Sequence, residues 1–330
     1  MKPNEKIYIA GHRGLVGSAI ERALKRCGYE QTIGFSSTEC DLTQQNQVEE
    51  LFRREQPDYV FICAAKVGGI HANNHYPADF IRENLLIQNN LLHQAKEAGV
   101  KRLLFLGSSC IYPRDCPQPM KEESLFSGPL EPTNRPYALA KIAGIEMCSA
   151  YNRQYGTEFL ALMPTNLYGP GDNYHPENSH VIPGLLNKMH AAKRANASQV
   201  TLWGTGNPKR EFLHSDDLAE AALFLMNLPP TAFSNLISHY PPIINVGWGK
   251  DLTICALANQ IAEVVGFKGS FQWDSSKPDG PPQKLLDITK ITALGWEPKI
   301  DLKTGLQRVY NEIYENLEAN LATMNHNLSL

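Results

Sequence analysis

Apolar residues recur along the first half of the chain in two alternating rhythms. Short unbroken runs, "KIYIA" (6–10), "DYVFICAA" (58–65), "RLLFLG" (102–107) and "EFLALMP" (158–164), predict strands buried on both faces. Between them the apolar positions return about every four residues. Leu15, Val16, Ala19, Ile20, Ala23, Leu24 and Cys27 predict a helix stopped at Gly28. "NLLIQNNLLHQAKEAG" (84–99) predicts a second helix, and "YALAKIAGIEMCSAYNRQYG" (137–156) a third. "QTIGF" (31–35) reads as another strand. Thr43 is placed to cap a helix carrying Val48, Leu51 and Phe52. Strand and helix alternate throughout, the pattern of an α/β fold: a doubly wound, Rossmann-type parallel sheet with helices on both faces.

From about residue 172 the composition shifts toward Asn, His, Pro and Gly. Residues 1–171 are expected to form the dinucleotide-binding domain, and 172–330 mainly a smaller mixed α/β substrate domain. "PKREFLHSDDLAEAALFLM" (208–226) and "IINVGWG" (243–249) look like returns to the first domain, near 210–250. Residues 230–242 read as a surface loop, and the polar last dozen residues as a frayed end.

Composition narrows the function classes. A formal charge of -3 over 330 residues gives no reason to expect nucleic acid or an acidic membrane as partner. No apolar run reaches 18 residues, so no membrane span is expected, and the first residues lack a signal-peptide pattern. Seven cysteines without C-x-x-C spacing suit reduced thiols in a cytoplasm. Ten dispersed histidines offer no metal-ligand spacing, and no metal is expected.

Gly11, Gly14 and Gly17 stand between the first strand and the first helix. A glycine turn there lets backbone approach a diphosphate, which the helix N-terminus then attracts. The spacing is G-x-x-G-x-x-G, so the strand–turn–helix context carries the dinucleotide reading. The second strand runs into "GFSSTEC" with no immediate acid for a ribose 2′-hydroxyl and no arginine for a 2′-phosphate. Arg13 is the nearest cation in sequence, which tilts the expectation to NADP(H). Glu39 turned inward would reverse it. Asp41 is open to two readings, acceptor for an adenine amino group or carboxylate of a local turn.

"SSCIYP" (108–113) follows the fourth strand, at the sheet edge where open parallel sheets bind ligands. Tyr137 and Lys141, four apart, share a helix face. A lysine cation beside the phenol is expected to ease its ionisation. The pair can then exchange a proton with a substrate oxygen that a serine hydroxyl also holds.

With "AKVGGIHANNHYPADFI", "GSSCIYP", "EPTNRPYALAKIAG", "MPTNLYGPGDN", "NSHVIP", "REFLHSDDLA" and "KPDGPPQKLLD", the chain resembles the extended short-chain dehydrogenases/reductases. More narrowly, from about residue 6 to 300, it resembles the GDP-L-fucose synthase family. That resemblance implies NADPH as cofactor and GDP-4-keto-6-deoxy-D-mannose as substrate, epimerised at C3 and C5 and then reduced at C4. It implies Ser108, Tyr137 and Lys141 as the set serving the C4 oxygen, with Cys110 as carbon base and His180 as the matching proton donor. Cys110, two residues past Ser108, is expected on the same side of an extended strand end. By the same resemblance the cofactor lies against Gly11, His12, Arg13, Gly14, Leu15, Val16, Gly17, Asp41, Leu42, Leu106 and Gly107. It also meets Ser108, Lys141, Pro164, Thr165, Asn166, Leu167 and His180. Lys188, Trp203 and Arg210 fall to the GDP, and Asp279 to the sugar or ribose. A homodimer through the helices near 84–98 and 137–155 is implied as well. Ser37 stands where the family often has an arginine for the 2′-phosphate. Two rivals are a sugar-nucleotide 4-epimerase or dehydratase with retained NAD, which needs no Cys110–His180 pair, and a non-catalytic nucleotide-binding scaffold, which needs no Ser108, Tyr137, Lys141 set.

Overall fold

The computed structural model describes residues 1–174, 179–277 and 279–315; the polar tail expected to fray lies outside them. Strands β1 (Ile7–Ala10), β2 (Thr32–Ile33), β3 (Tyr59–Ile62), β4 (Arg102–Leu106) and β5 (Phe159–Pro164) alternate with helices. These are α1 (Leu15–Arg26), α2 (Gln45–Glu55), α3 (Ile70–His75), α4 (Pro77–Glu97) and α5 (Arg135–Tyr155). The chain continues through β6 (Asn166–Tyr168), α6 (Val181–Arg194), β7 (Gln199–Trp203), β8 (Lys209–His214), α7 (Ser215–Met226), α8 (Pro230–Ser238) and β9 (Ile243–Val246). Last come β10 (Asp251–Thr253), α9 (Ile254–Val265), β11 (Ser270–Asp274), β12 (Gln283–Lys284), α10 (Thr289–Ala293) and α11 (Leu302–Tyr310).

Six strands pair in parallel in the order β2-β1-β3-β4-β5-β9. The chain leaves β1 toward one edge and returns past it to β3, so a crevice opens beyond the carboxyl ends of these two strands. Apolar side chains fill both faces, one under α1, α7 and α8, the other under α2, α4 and α5. A third core lies between α6, α9 and α11 and the smaller sheets, where β8 pairs with β10, β12 and β6, and β7 with β11.

Several expectations change. β2 shrinks to two half-buried residues, because it is an edge strand and Gly34 beyond it gives its side-chain space to the His12 ring. Thr43 does not cap α2: its hydroxyl donates to Asp41 Oδ1 at 2.8 Å, and the helix starts beyond Gln44. α4 begins at Pro77, a residue pre-set for a first helical position, ahead of its apolar stretch. β8 belongs to the smaller sheet, while α7 and β9 return to the large one as expected. The stretch expected as a loop contains α8, since Ala232, Phe233, Leu236 and Ile237 repeat at helical spacing against the core. Phe233 is fully buried, with the Arg102 guanidinium 4.2 Å above its ring. Among the described residues no helix is long and apolar enough to cross a membrane.

The packing of α8 gives a direct test. Phe233→Ala is expected to cost about 3–5 kcal/mol, as a lower urea midpoint with an unchanged slope. A side chain on a solvent loop would change stability by less than about 0.5 kcal/mol.

Candidate active site

The glycine turn closes β1 onto α1. Gly11 has φ +84°, and a Cβ there would stand 2.7 Å from the backbone N of Ala64 on the neighbouring strand's exit. A Cβ on Gly17 would overlap the Gly11 carbonyl. Gly14 occupies the cap position of α1, and no side chain satisfies the first amides of the helix. A cradle with no room for side chains, ending in uncapped N–H groups, fits a dinucleotide diphosphate.

Beside it, Glu39 is turned into its own loop. Its carboxylate accepts from the Ser36 N–H at 2.7 Å and the Ser36 hydroxyl at 2.6 Å. These bonds hold it below the usual carboxylate range, with Arg13 and His12 adding to the effect. Asp41 follows the local-turn reading, its Oδ1 accepting from the N–H and hydroxyl of Thr43 at 3.0 and 2.8 Å. The Leu42 carbonyl accepts from Asn90 of α4 at 2.9 Å.

At the end of β4 the backbone does not stay extended. Residues Ser109–Ile111 form a single 3₁₀ turn, and the Ser108 hydroxyl accepts from the Cys110 N–H at 3.4 Å. That turn, rather than strand alternation, brings the thiol to the serine. Tyr112 anchors it from behind by donating to Asn245 Oδ1 at 2.5 Å. Gly107 leaves space that the Met163 thioether fills. From α5, Lys141 is buried and donates to the Leu106 carbonyl at 2.7 Å. Its Nζ stands 5.8 Å from the centre of the Tyr137 ring.

Burial governs the protons here. It pushes the Tyr137 phenol far up, Cys110 adds to the shift, and a hydrogen bond with Ser108 opposes it. The expectation of an eased phenolate is therefore corrected: desolvation dominates this phenol, and Tyr137 stays a neutral proton donor. Lys141 is pushed down by burial to about 8. The Cys110 thiol is raised by burial, against the pull of Ser108, Lys284 and Lys141, so it is not the partly ionised thiol expected from an exposed cysteine.

His180 comes from a different element of the chain. It precedes α6, its side chain is 48% exposed, and its Nδ1 stands 3.6 Å from Oδ1 of Asp172. Beyond Pro164, the Thr165 hydroxyl and the Asn166 amide both donate to the Glu211 carbonyl, at 3.2 and 2.9 Å, pinning the end of β5 to β8. Leu167 packs against the large-sheet core.

The second rim is cationic and aromatic. Trp203 is 62% exposed, and the Nζ atoms of Lys188 and Lys277 lie 5.2 and 5.6 Å from its ring. Burial lowers the pKa of Lys188. Arg210 donates to the carbonyls of Lys209 and Pro281, each at 2.7 Å; burial lowers its pKa and Asp279 opposes that. Asp279 spends both oxygens on Thr205, accepting from its N–H at 3.0 Å and its hydroxyl at 2.6 Å. Lys284, whose pKa burial lowers, pairs in register with Arg210 across β12 and β8 and is the strongest cation acting on Cys110. Sequence reasoning missed Lys277, Lys284 and Asp172. The first two flank a Pro/Gly run whose spacing carries no sign of what they meet. Among the described residues no group of three His, Cys, Asp or Glu could hold a metal.

Two outcomes test this geometry. Gly17→Ala is expected to raise the Kd for NADPH roughly 5- to 100-fold, the effect of a methyl forced into filled space; calorimetric titration measures it. Lys141, lowered from 10.5 to about 8 on folding, costs about 3 kcal/mol at pH 7. Stability linked to it is present above pH 10.5 and lost as pH falls through about 8. Lys141→Met is therefore expected to be at least as stable as the parent at pH 7, an advantage shrinking toward pH 10.5, read by denaturation at both values.

The sequence profile of the NAD dependent epimerase/dehydratase family matches residues 7–247. The chain is 54% identical to the putative GDP-L-fucose synthase 2 of Arabidopsis thaliana, covering 96% of this chain and 94% of that one. It is 51% identical to the GDP-L-fucose synthase of Escherichia coli (strain K12), over 94% of this chain and 97% of the relative. Its fold superposes on the GDP-mannoheptose C4 reductase from Campylobacter jejuni, solved with NADP bound, with TM-score 0.86 and 40% identity, covering 94% of this chain and 98% of that one. Likeness of this extent makes the chain a member of the NAD dependent epimerase/dehydratase family, among its GDP-L-fucose synthases.

Proposed function

We propose that the chain converts GDP-4-keto-6-deoxy-D-mannose to GDP-L-fucose, inverting C3 and C5 and then reducing C4 with NADPH. One observation carries this reading: a thiol, Cys110, stands within the same buried cluster as Ser108, Tyr137 and Lys141. Reduction needs the hydroxyl, phenol and ammonium alone. A thiol beside them gives the ketone's neighbouring carbons a base.

Each residue then has a role. Ser108 and Tyr137 hydrogen-bond the C4 oxygen and stabilise the enolate that forms when C3 or C5 loses its proton. Cys110 takes that proton as thiolate, the form that Lys284 and Lys141 favour against burial. His180 returns a proton on the opposite face, and solvent resets both groups. NADPH, when bound in the glycine cradle, supplies hydride to C4. Tyr137, neutral in its buried site, gives the alcohol its proton. Lys141 holds the cofactor's ribose hydroxyls and stays charged below about pH 8.

Residues 1–171 serve the cofactor, with α7 and β9 returning to them, and 172–330 mainly hold the sugar nucleotide. Trp203 and Lys188 receive the GDP, Arg210 its diphosphate, and Asp279, held by Thr205, the sugar or ribose. Exposed Leu85 on α4 and Leu139 on α5 suit burial in a cytoplasmic homodimer. A 4-epimerase that recycles NAD is less well served, since inversion at C4 has no use for Cys110.

Purified protein supplied with GDP-4-keto-6-deoxy-D-mannose and NADPH is expected to form GDP-L-fucose with one equivalent of NADPH oxidised, and more slowly with NADH. Catalytic formation of a C4 epimer without net oxidation would overturn the proposal. In D2O, Cys110→Ser is expected to cut deuterium entry at C3 and C5 by about 100-fold or more while leaving NADPH affinity intact. Unchanged exchange would remove Cys110 from the mechanism. The rate of C4 reduction is expected to fall above about pH 8 as Lys141 loses its proton.

A further inference from the structure

Asp172 lies in the "GPGD" turn after β6, its N–H donating to the Gly169 carbonyl at 3.3 Å. Its side chain is 3% exposed, yet it is not spent on structure in the usual way. Oδ1 accepts from the neighbouring Asn173 N–H at 2.7 Å and faces His180 Nδ1 at 3.6 Å. Among the described residues Oδ2 is buried with no hydrogen-bond partner. A carboxylate taken out of water with an unsatisfied oxygen is costly, and such a group persists where a cation or donor approaches it. Among the described residues the imidazole beside it is that of His180, which is half exposed and begins α6 without capping it. The Tyr174 phenol also feels the Asp172 charge, but burial dominates that group.

We propose that Asp172 is a positioning residue for His180. It accepts the Nδ1 proton, which fixes the ring's tautomer and turns Nε2 toward the sugar as the atom that exchanges protons with carbon. Asp172 touches neither cofactor nor sugar and acts only through the imidazole. At 3.6 Å the contact is longer than a hydrogen bond, and such pairs tighten when substrate closes the site. The inference rests on the proposed role of His180 in epimerisation, and it assigns Asp172 a part in that half of the reaction alone.

The test separates the two halves. ¹⁵N spectra of the neutral His180 ring are expected to show the Nδ1–H tautomer in the unmodified protein; a dominant Nε2–H form overturns the inference without any variant. Asp172→Asn is expected to slow deuterium entry at C3 and C5 at least about tenfold. The KM for the GDP sugar is expected to stay put, and reduction to divert product toward GDP-sugars that keep the original C3 and C5 configuration. Asp172→Glu is expected to restore part of the exchange. An Asp172→Asn protein with the parent's exchange rate and product ratio overturns the inference. Unmodified protein that never exchanges C3 or C5 would instead sink the proposed function itself.

Discussion

The two halves of this chain are joined through one buried glutamate. Glu211, on β8, accepts from the N–H of Gly249 at 2.6 Å and of Leu286 at 3.1 Å, while its own carbonyl receives Thr165 and Asn166. A Cβ on Gly247 would overlap its carboxyl group. Burial raises its pKa and the backbone donors pull it back. This single residue, through its carboxylate and its backbone carbonyl, ties the exit of β9, the exit of β12 and the end of β5 to the strand that carries Arg210. The cations of the smaller lobe therefore stand in fixed relation to the carboxyl edge of the large sheet. A second clamp works beside it: Asn245 on β9 donates to the Met120 and Asp287 carbonyls at 3.0 and 3.1 Å and receives Tyr112.

With those clamps in place, desolvation sets the chemistry. Burial brings the pKa of Lys141 down to about 8, holds Tyr137 neutral, and holds Cys110 as a thiol. Each shift has the same cause, removal of water from the end of β4. The second rim differs, with Trp203 and its lysines left in solvent.

Much of this was legible in the chain. β1, β3, β4 and β5 are continuous apolar runs because both faces are covered, and α1 announces itself by its four-residue rhythm. β2 is shorter than its sequence suggests, since an edge strand of two residues leaves almost no pattern. α8 resembles a loop in sequence because prolines flank it, although Phe233 marks its buried face. Ser108, Cys110, Tyr137 and Lys141 could be named from motif order, but their protonation could not. That depends on burial, and on Lys284 arriving from 174 residues away through a two-residue strand. Glu211 and Asp172 gave no sign at all, because a carboxylate's importance comes from donors that only the folded chain assembles.

The suppressed thiol of Cys110 has a consequence for durability. Peroxides and electrophiles attack the sulfur anion, and a sulfur kept protonated away from water presents little of it. Burial thus shields the group that the cationic neighbours Lys284 and Lys141 would otherwise make most reactive.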